Sequence, residues 1–95
     1  MKYYHGSKKK FSNFRTPTGV EVMDVTKGGV VYLTSDINVA RRYAGNGGYV
    51  ATVTGDVVSY RDQLAAQGRK KHNKYVRNVF VGLPSQLSIV SWERA

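Results

Sequence analysis

Short apolar runs separated by polar and glycine-containing turns fill most of the chain, a pattern typical of a small sheet protein. The first run ends in His-Gly-Ser, and the last two are joined across Leu83, Pro84 and Ser85. Residues 7–19 are polar and turn-rich, which predicts a long loop. The pattern predicts strands at residues 2–5, 20–25, 28–34, 49–54, 75–82 and 86–92.

Two further stretches have helical patterning. In residues 35–45 the apolar residues recur on one face, Ser35 is placed to cap the start, and Gly45 suits the position after the last turn. Residues 61–67 predict a second, shorter helix. Because helices and strands occur in mixed order, the pattern predicts an α+β fold.

The composition limits the size and setting of the protein. With 95 residues, 41% of them hydrophobic, the chain can form one domain with a small core. It has no cysteine, which excludes disulfides and thiolate metal sites. No apolar run approaches the roughly 20 residues that span a bilayer, and the first residues lack the apolar stretch of a secretory signal. We therefore expect a soluble protein of the cytoplasm with no membrane partner.

The charge points to an anionic partner. Fifteen Lys and Arg residues face six Asp and Glu residues, for a formal net charge of +9. No acid occurs between Asp62 and Glu93, and His72 and Tyr75 are interleaved with the bases of that interval. A surface this basic favours nucleic acid or a phosphate-bearing substrate, although a merely solvated surface is the alternative. The candidate contacts are Arg69, Lys70, Lys71, Lys74 and Arg77.

The order of the motifs resembles the ADP-ribosyltransferase superfamily. One strand ends in Tyr-His-Gly-Ser (4–7), a later one ends in Val-Tyr-Leu-Thr (31–34), and a helix of small residues and a glycine turn lead to Tyr-Val-Ala-Thr-Val (49–53). The resemblance is to the His-Tyr branch, shared by diphtheria-type toxins, poly-ADP-ribose polymerases and small bacterial or phage transferases. It implies a single compact domain over residues 1–95, in which two small, mainly antiparallel sheets with short helices surround an NAD cleft.

The resemblance also implies how NAD, the substrate that donates ADP-ribose, is held, and it implies no metal. His5 would hydrogen-bond the adenosine ribose, and the Gly6 backbone would pair with the nicotinamide amide. Tyr32 would stack on the nicotinamide ring as its bond to ribose breaks, which gives Tyr32 a catalytic role, and Tyr43 would be a second ring nearby. The implied cleft residues are His5, Gly6, Ser7, Tyr32, Thr34 and Tyr43. Each also has an ordinary interpretation as a core or turn residue, and that alternative stays open.

The chain departs from the superfamily at its third motif. Members usually carry a Glu at the start of a late strand, where it binds the nicotinamide ribose and stabilises the developing positive charge. Here the corresponding stretch is residues 78–92, and Asn78 occupies the position of the acid. Asparagine can hydrogen-bond a hydroxyl but carries no charge. The activity would therefore be weak, unless Asp62 or Glu93 supplies the acid.

Three functions remain open at this point. The first is transfer of ADP-ribose from NAD to a host protein or nucleic acid, as by a phage effector acting in the host cytoplasm. The second is a catalytically inactive module of the same fold that binds nucleic acid, or a host nucleic-acid-binding protein, through its basic face. The third is an unrelated basic α+β nucleic-acid binder. We expect the first, because a binding module has little reason to keep both the His5-Gly6 element and Tyr32.

Overall fold

The structure is a computed structural model that describes residues 2–14, 30–66 and 78–95. These residues form strands and helices in mixed order, which confirms the α+β prediction. The strands are β1 (Tyr3–Ser7), β2 (Val31–Thr34), β3 (Tyr49–Gly55), β4 (Val58–Ser59), β5 (Val79–Gly82) and β6 (Leu87–Arg94). The helices are α1 (Ile37–Ala44) and α2 (Tyr60–Ala66), and a short 3-10 turn, Pro84–Gln86, leads into β6.

Instead of the two sheets that we expected, the described strands form one antiparallel sheet in the order β4-β5-β2-β1-β3-β6. Its two halves are nevertheless joined by a short ladder. Strands β1 and β3 pair over five residues and β2 and β5 over four, whereas β1 meets β2 only at Tyr4 and Thr34. This single pair connects the half β4-β5-β2 to the half β1-β3-β6, and the sheet is split beside it.

Alternating side chains build a core on each face of the sheet, as the period of a strand requires. On one face, partly buried aromatic residues such as Tyr3 and Trp92 surround a buried cluster. On the other face, α1 packs through Ala40 and Ala44 against Val50. The buried cluster of the first face consists of Phe14, Val31, Leu33, Ala51, Val53 and Leu87.

Helix α1 lies directly on β1 at Gly6. A Cβ at residue 6 would overlap the carbonyl oxygen of Ala40 and lie 2.9 Å from the backbone nitrogen of Ala44. The absence of a side chain therefore lets the two backbones touch. This close approach gives Gly6 a packing role, independent of the ligand contact that the sequence resemblance implies.

The ends of α1 are fixed by two different devices. The Asp36 side chain accepts a hydrogen bond of 2.9 Å from the backbone N–H of Asn38, so Asp36 is the N-cap. The prediction that Ser35 caps the helix is therefore wrong by one residue, because the side chain that accepts from the free N–H of the first turn is that of Asp36. At the other end Gly45 adopts a φ of 71°, as predicted for the residue that ends the helix.

Both helices of the described residues are short, with eight residues in α1 and seven in α2. In these parts of the chain, neither helix is long and apolar enough to cross a membrane. Helix α2 lies beside β5 and β4, and α1 lies across β1, β2 and β3. Helix α2 therefore covers part of the half β4-β5-β2, and α1 covers the strands next to the split.

Part of the predicted structure falls outside the described residues. The strand predicted at 20–25 does so, and the loop predicted at 7–19 is described only as far as Phe14. The basic segment with its five candidate contacts also falls outside, namely Arg69, Lys70, Lys71, Lys74 and Arg77.

Candidate functional site at the split in the sheet

A cleft opens where β1 and β2 separate. Beyond the pair of Tyr4 and Thr34, the end of β1 and the start of β2 no longer pair with each other. Two cavities lie along this gap, one of about 420 Å³ beside α1 and one of about 560 Å³ beside the loop after β1. We call them the α1 cavity and the loop cavity. Both fall within the roughly 300–1,000 Å³ of small-molecule sites.

The α1 cavity brings together residues from four elements. Gly6 comes from β1, Tyr32 and Thr34 from β2, Tyr43 from α1 and Val79 from β5. Four of these five were predicted cleft residues. The structure therefore places residues that are far apart in sequence around one space, large enough for a planar ring and its substituents.

The loop cavity is lined by a different set, most of which the sequence did not point to. The Phe11 and Phe14 rings meet edge to face at 5.1 Å, and Phe11 in turn meets Trp92 at 5.1 Å. Ser12 and Asn13 add polar groups to the same wall. The feature of the sequence that could have indicated this cavity is the presence of two phenylalanines in an otherwise polar loop.

His5 stands between the two cavities and lines both. Its Nδ1 lies 2.9 Å from the carbonyl oxygen of Tyr32, and because a carbonyl only accepts, Nδ1 carries the hydrogen and donates. The Phe14 ring meets the imidazole edge to face at 5.1 Å. Burial lowers the pKa of His5 below its ordinary value, and the bond to the Tyr32 carbonyl opposes this only in part. With a pKa below 6.5 the ring is mostly neutral at pH 7, which leaves Nε2 as an acceptor.

The lowered pKa of His5 predicts that the protein loses stability as the pH falls below 6.5, the ordinary pKa of the unfolded chain. Between the lowered pKa of folded His5 and pH 6.5, the unfolded chain binds a proton that the folded chain does not. The free energy of unfolding therefore rises with pH over this interval, by at most about 1.4 kcal/mol per pH unit. Urea unfolding on both sides of this pH measures the effect. The His5→Gln variant should lose that dependence, while His72→Gln should keep it. An unchanged pH dependence in His5→Gln would contradict the prediction.

The Tyr32 ring lies on the opposite face of the sheet from the His5 ring. His5 packs on the side of Phe14, whereas Tyr32 contacts the Tyr60 ring of α2 at 5.8 Å. Tyr32 is 44% exposed, and desolvation, with a smaller contribution from Tyr60, raises its pKa. Both residues still line both cavities, because the sheet is open between them. The two side chains therefore do not share a face of the sheet, and the expectation that both face one NAD cleft stays a prediction.

The three remaining predicted residues have distinct surroundings. Tyr43 is 79% exposed on α1, with its ring at the edge of the α1 cavity. Thr34 is buried, and its Oγ1 accepts a 3.1 Å hydrogen bond from the Asp36 N–H, which ties β2 to the start of α1. The Ser7 hydroxyl donates to the Lys9 carbonyl at 2.7 Å and stabilises a turn. Among the described residues that line the cavities, Ser7 is not included.

Asn78 is not among the residues that line the two cavities, although its sequence neighbour is. It directly precedes β5, is exposed, and its carbonyl oxygen accepts a 3.4 Å hydrogen bond from the Ser35 N–H. The following residue, Val79, pairs with Thr34 and lines the cavity. The position that the resemblance gives to the acid is therefore one residue in sequence from the cavity lining, and the side chain there is neutral.

Neither alternative acid lines the cavities of the described structure. Glu93 is on β6, two strands from the split, and forms a 3.5 Å ion pair with Arg41. Asp62 is in the first turn of α2. Over the ranges that the structure describes, no three His, Asp or Glu side chains are grouped as a metal ion would require.

Comparison with known proteins adds no relative. No protein-family model, no curated protein and no solved structure matches the chain. The function has to be inferred from the cleft and from the residues that line it.

Proposed function

We propose that the protein is an NAD-dependent ADP-ribosyltransferase that transfers ADP-ribose from NAD to a macromolecular acceptor. The observation that carries the proposal is the cleft at the split between β1 and β2. It gathers His5, Gly6, Tyr32 and Tyr43, from three separate elements, around adjoining cavities. These are the residues to which the superfamily resemblance assigns the binding of NAD.

The chemistry of the lining suits a dinucleotide that spans both cavities. In the α1 cavity, the Tyr32 and Tyr43 rings offer apolar faces to a planar nicotinamide, for which offset or edge contacts between rings are favourable. In the loop cavity, the rings of Phe11 and Phe14 offer apolar contacts to an adenine. A molecule that occupies both passes His5, whose Nε2 acceptor suits a ribose hydroxyl.

In the proposed reaction, the bond between nicotinamide and ribose C1′ breaks and the electron pair leaves with nicotinamide. A nucleophile of the acceptor forms the new bond to C1′ and gives up its proton to solvent. Tyr32 and Tyr43 hold the leaving group, and the Asn78 amide can hydrogen-bond a ribose hydroxyl. Because Asn78 cannot offset the positive charge that develops on the ribose, we expect turnover about 10²- to 10³-fold below that of a site with a carboxylate there.

The acceptor is a host protein or a nucleic acid, and the net charge of +9 favours an anionic partner. A small basic transferase without a strong active-site acid fits an effector, such as one carried by a phage, that acts in the host cytoplasm.

Binding of NAD tests the proposal directly. Calorimetry or ligand-observed NMR should detect weak NAD binding, and Tyr32→Ala and His5→Ala should each weaken it about tenfold or more. Tyr32→Ala removes a stacked ring, which contributes about 1–3 kcal/mol, and His5→Ala removes the acceptor for a ribose hydroxyl. Tyr49→Ala removes a tyrosine that does not line either cavity and should bind NAD like the parent protein. Circular dichroism checks that each variant is folded. Parental NAD affinity in Tyr32→Ala would rule out the cleft as the NAD site.

The neutral Asn78 favours a second candidate, a catalytically inactive module of this fold that binds nucleic acid, or a host nucleic-acid-binding protein, through its basic face. Incubation with labelled NAD in a cell lysate, with and without nuclease, separates the two. Label in protein, or in material that nuclease removes, supports the transferase. NAD binding without any transfer of label supports the inactive module.

A further inference from the structure

Cationic side chains gather at one end of the sheet. There β1 finishes at Ser7, β3 begins at Tyr49 and β6 finishes at Arg94, and these three residues are paired across neighbouring strands. Helix α1 finishes at the same end, because Gly6 packs against Ala44 in its last turn. We call this surface the basic sheet end, and its exposed cations are Lys8, Lys9, Lys10, Arg41, Arg42 and Arg94.

Direct contacts connect the basic sheet end into one surface. The Lys10 ammonium lies over the Tyr49 ring, 5.0 Å from its centroid. The Lys8 ammonium lies beside Gly45, 3.1 Å from where a Cβ of that residue would be. The surface therefore runs without interruption from the end of α1, across the loop after β1, to the end of β6.

The charge of this surface is almost uncompensated. Glu93 is the one side-chain carboxylate that the described residues place at this end, and it pairs with Arg41 at 3.5 Å. Asp36 is at the opposite end of α1, and Asp62 is on α2 beside β5. Exposed cations that outnumber nearby acids produce a positive potential that attracts polyanions.

Aromatic rings are interleaved with these cations. Tyr49 is half-buried against the Trp92 ring at 6.5 Å, with Lys10 over its face. Tyr43, next to Arg42 in the last turn of α1, is 79% exposed. An acidic protein would be held by the charges alone, whereas single-stranded nucleic acid uses both cations for its phosphates and rings for its bases.

We propose that the basic sheet end binds single-stranded nucleic acid, with its cations on the phosphates and with Tyr43 and Tyr49 against the bases. This site goes beyond the proposed function, because it requires no NAD and shares only Tyr43 with the residues at the split. Its residues are different from those of the basic segment at residues 69–77, which lie outside the described residues. Tyr43 lines the α1 cavity as well, so a strand bound here extends toward the cleft.

Salt dependence of binding tests the site. Fluorescence anisotropy with labelled oligouridine and oligothymidine should give a negative slope of log affinity against log salt, about 0.7 per phosphate contact. The double variant Lys10→Gln, Arg94→Gln should flatten the slope by about 1.4 and weaken binding about 25-fold at 0.1 M salt. The double variant Lys2→Gln, Arg61→Gln also removes two positive charges, but at positions outside the basic sheet end, and it should keep the parental slope.

Two further measurements make the result decisive. Trp92 is the single tryptophan of the chain and adjoins Tyr49, so its fluorescence should change on binding. If the double variant does not fold, Arg42→Gln alone should flatten the slope by about 0.7. Unchanged slope and affinity in folded variants would overturn the proposal, and so would tighter binding of polyglutamate than of either oligonucleotide. Because the assay contains no NAD, its outcome is independent of the proposed transferase activity.

Discussion

Replacing Asn78 with Glu should increase ADP-ribose transfer and NAD hydrolysis about 10²- to 10³-fold. Asn78 directly precedes β5, whose first residue lines the α1 cavity, and it is the position to which the sequence resemblance assigns the superfamily's acid. A carboxylate there would stabilise the positive charge that develops on the ribose as nicotinamide leaves, which the amide cannot do. Because Asn78 is exposed, the change adds no buried charge and should not disturb folding. Release of nicotinamide from NAD, followed by chromatography, measures the rate.

The matched control is Asn78→Gln, which has the length of Glu without its charge and should leave the rate near that of the parent protein. The gain in Asn78→Glu should also disappear as the pH falls through the ordinary Glu pKa of about 4.3, because protonation removes the charge. Equal rates in the Glu and Gln variants at neutral pH would show that this position does not face the reacting ribose.

Gly6→Ala should destabilise the protein by about 3 kcal/mol or more, the upper part of the range for overpacking. Its Cβ would overlap the Ala40 carbonyl oxygen and approach the Ala44 nitrogen, and both are backbone atoms that cannot rotate away. Helix α1 would have to lift from β1. For a domain of this size such a loss lowers Tm by on the order of 15 °C. Thermal unfolding followed by circular dichroism measures it.

Gly47→Ala is the control for this change. Nothing lies within 4 Å of a Cβ at Gly47, so the substitution meets only the strain of its positive φ of 79°. That strain costs roughly 1–2 kcal/mol. A Tm for Gly6→Ala at or above that of Gly47→Ala would show that α1 is not held against β1 as the structure describes.

The sequence predicted the elements better than their arrangement. Strand β3 and helix α1 have strong periodic patterns, and their predicted ranges differ from the structure by no more than two residues at either end. Strand β4 is only two residues long and exists because it pairs with β5, which no local pattern reveals. The single sheet was missed for the same reason, since it depends on the pair of Tyr4 and Thr34.

The sequence resemblance named some of the residues that line the cavities. Gly6, Tyr32 and Tyr43 line the α1 cavity, and their roles toward NAD stay predictions. Phe11 and Phe14 were missed because loop residues reach a cavity through packing, which has no period in sequence. Ser7 was expected in the cleft, but its hydroxyl is used by the turn at Lys9.

The single residue pair between β1 and β2 leaves side-chain packing to hold the two halves of the sheet together. The bond from His5 to the Tyr32 carbonyl crosses the split, as do the contact of the Tyr3 and Phe80 rings at 4.9 Å and the buried cluster of the first face. Helix α1 also lies across both strands. A ligand that contacts β1 and β2 together would therefore strengthen a junction made by side chains rather than by a backbone ladder.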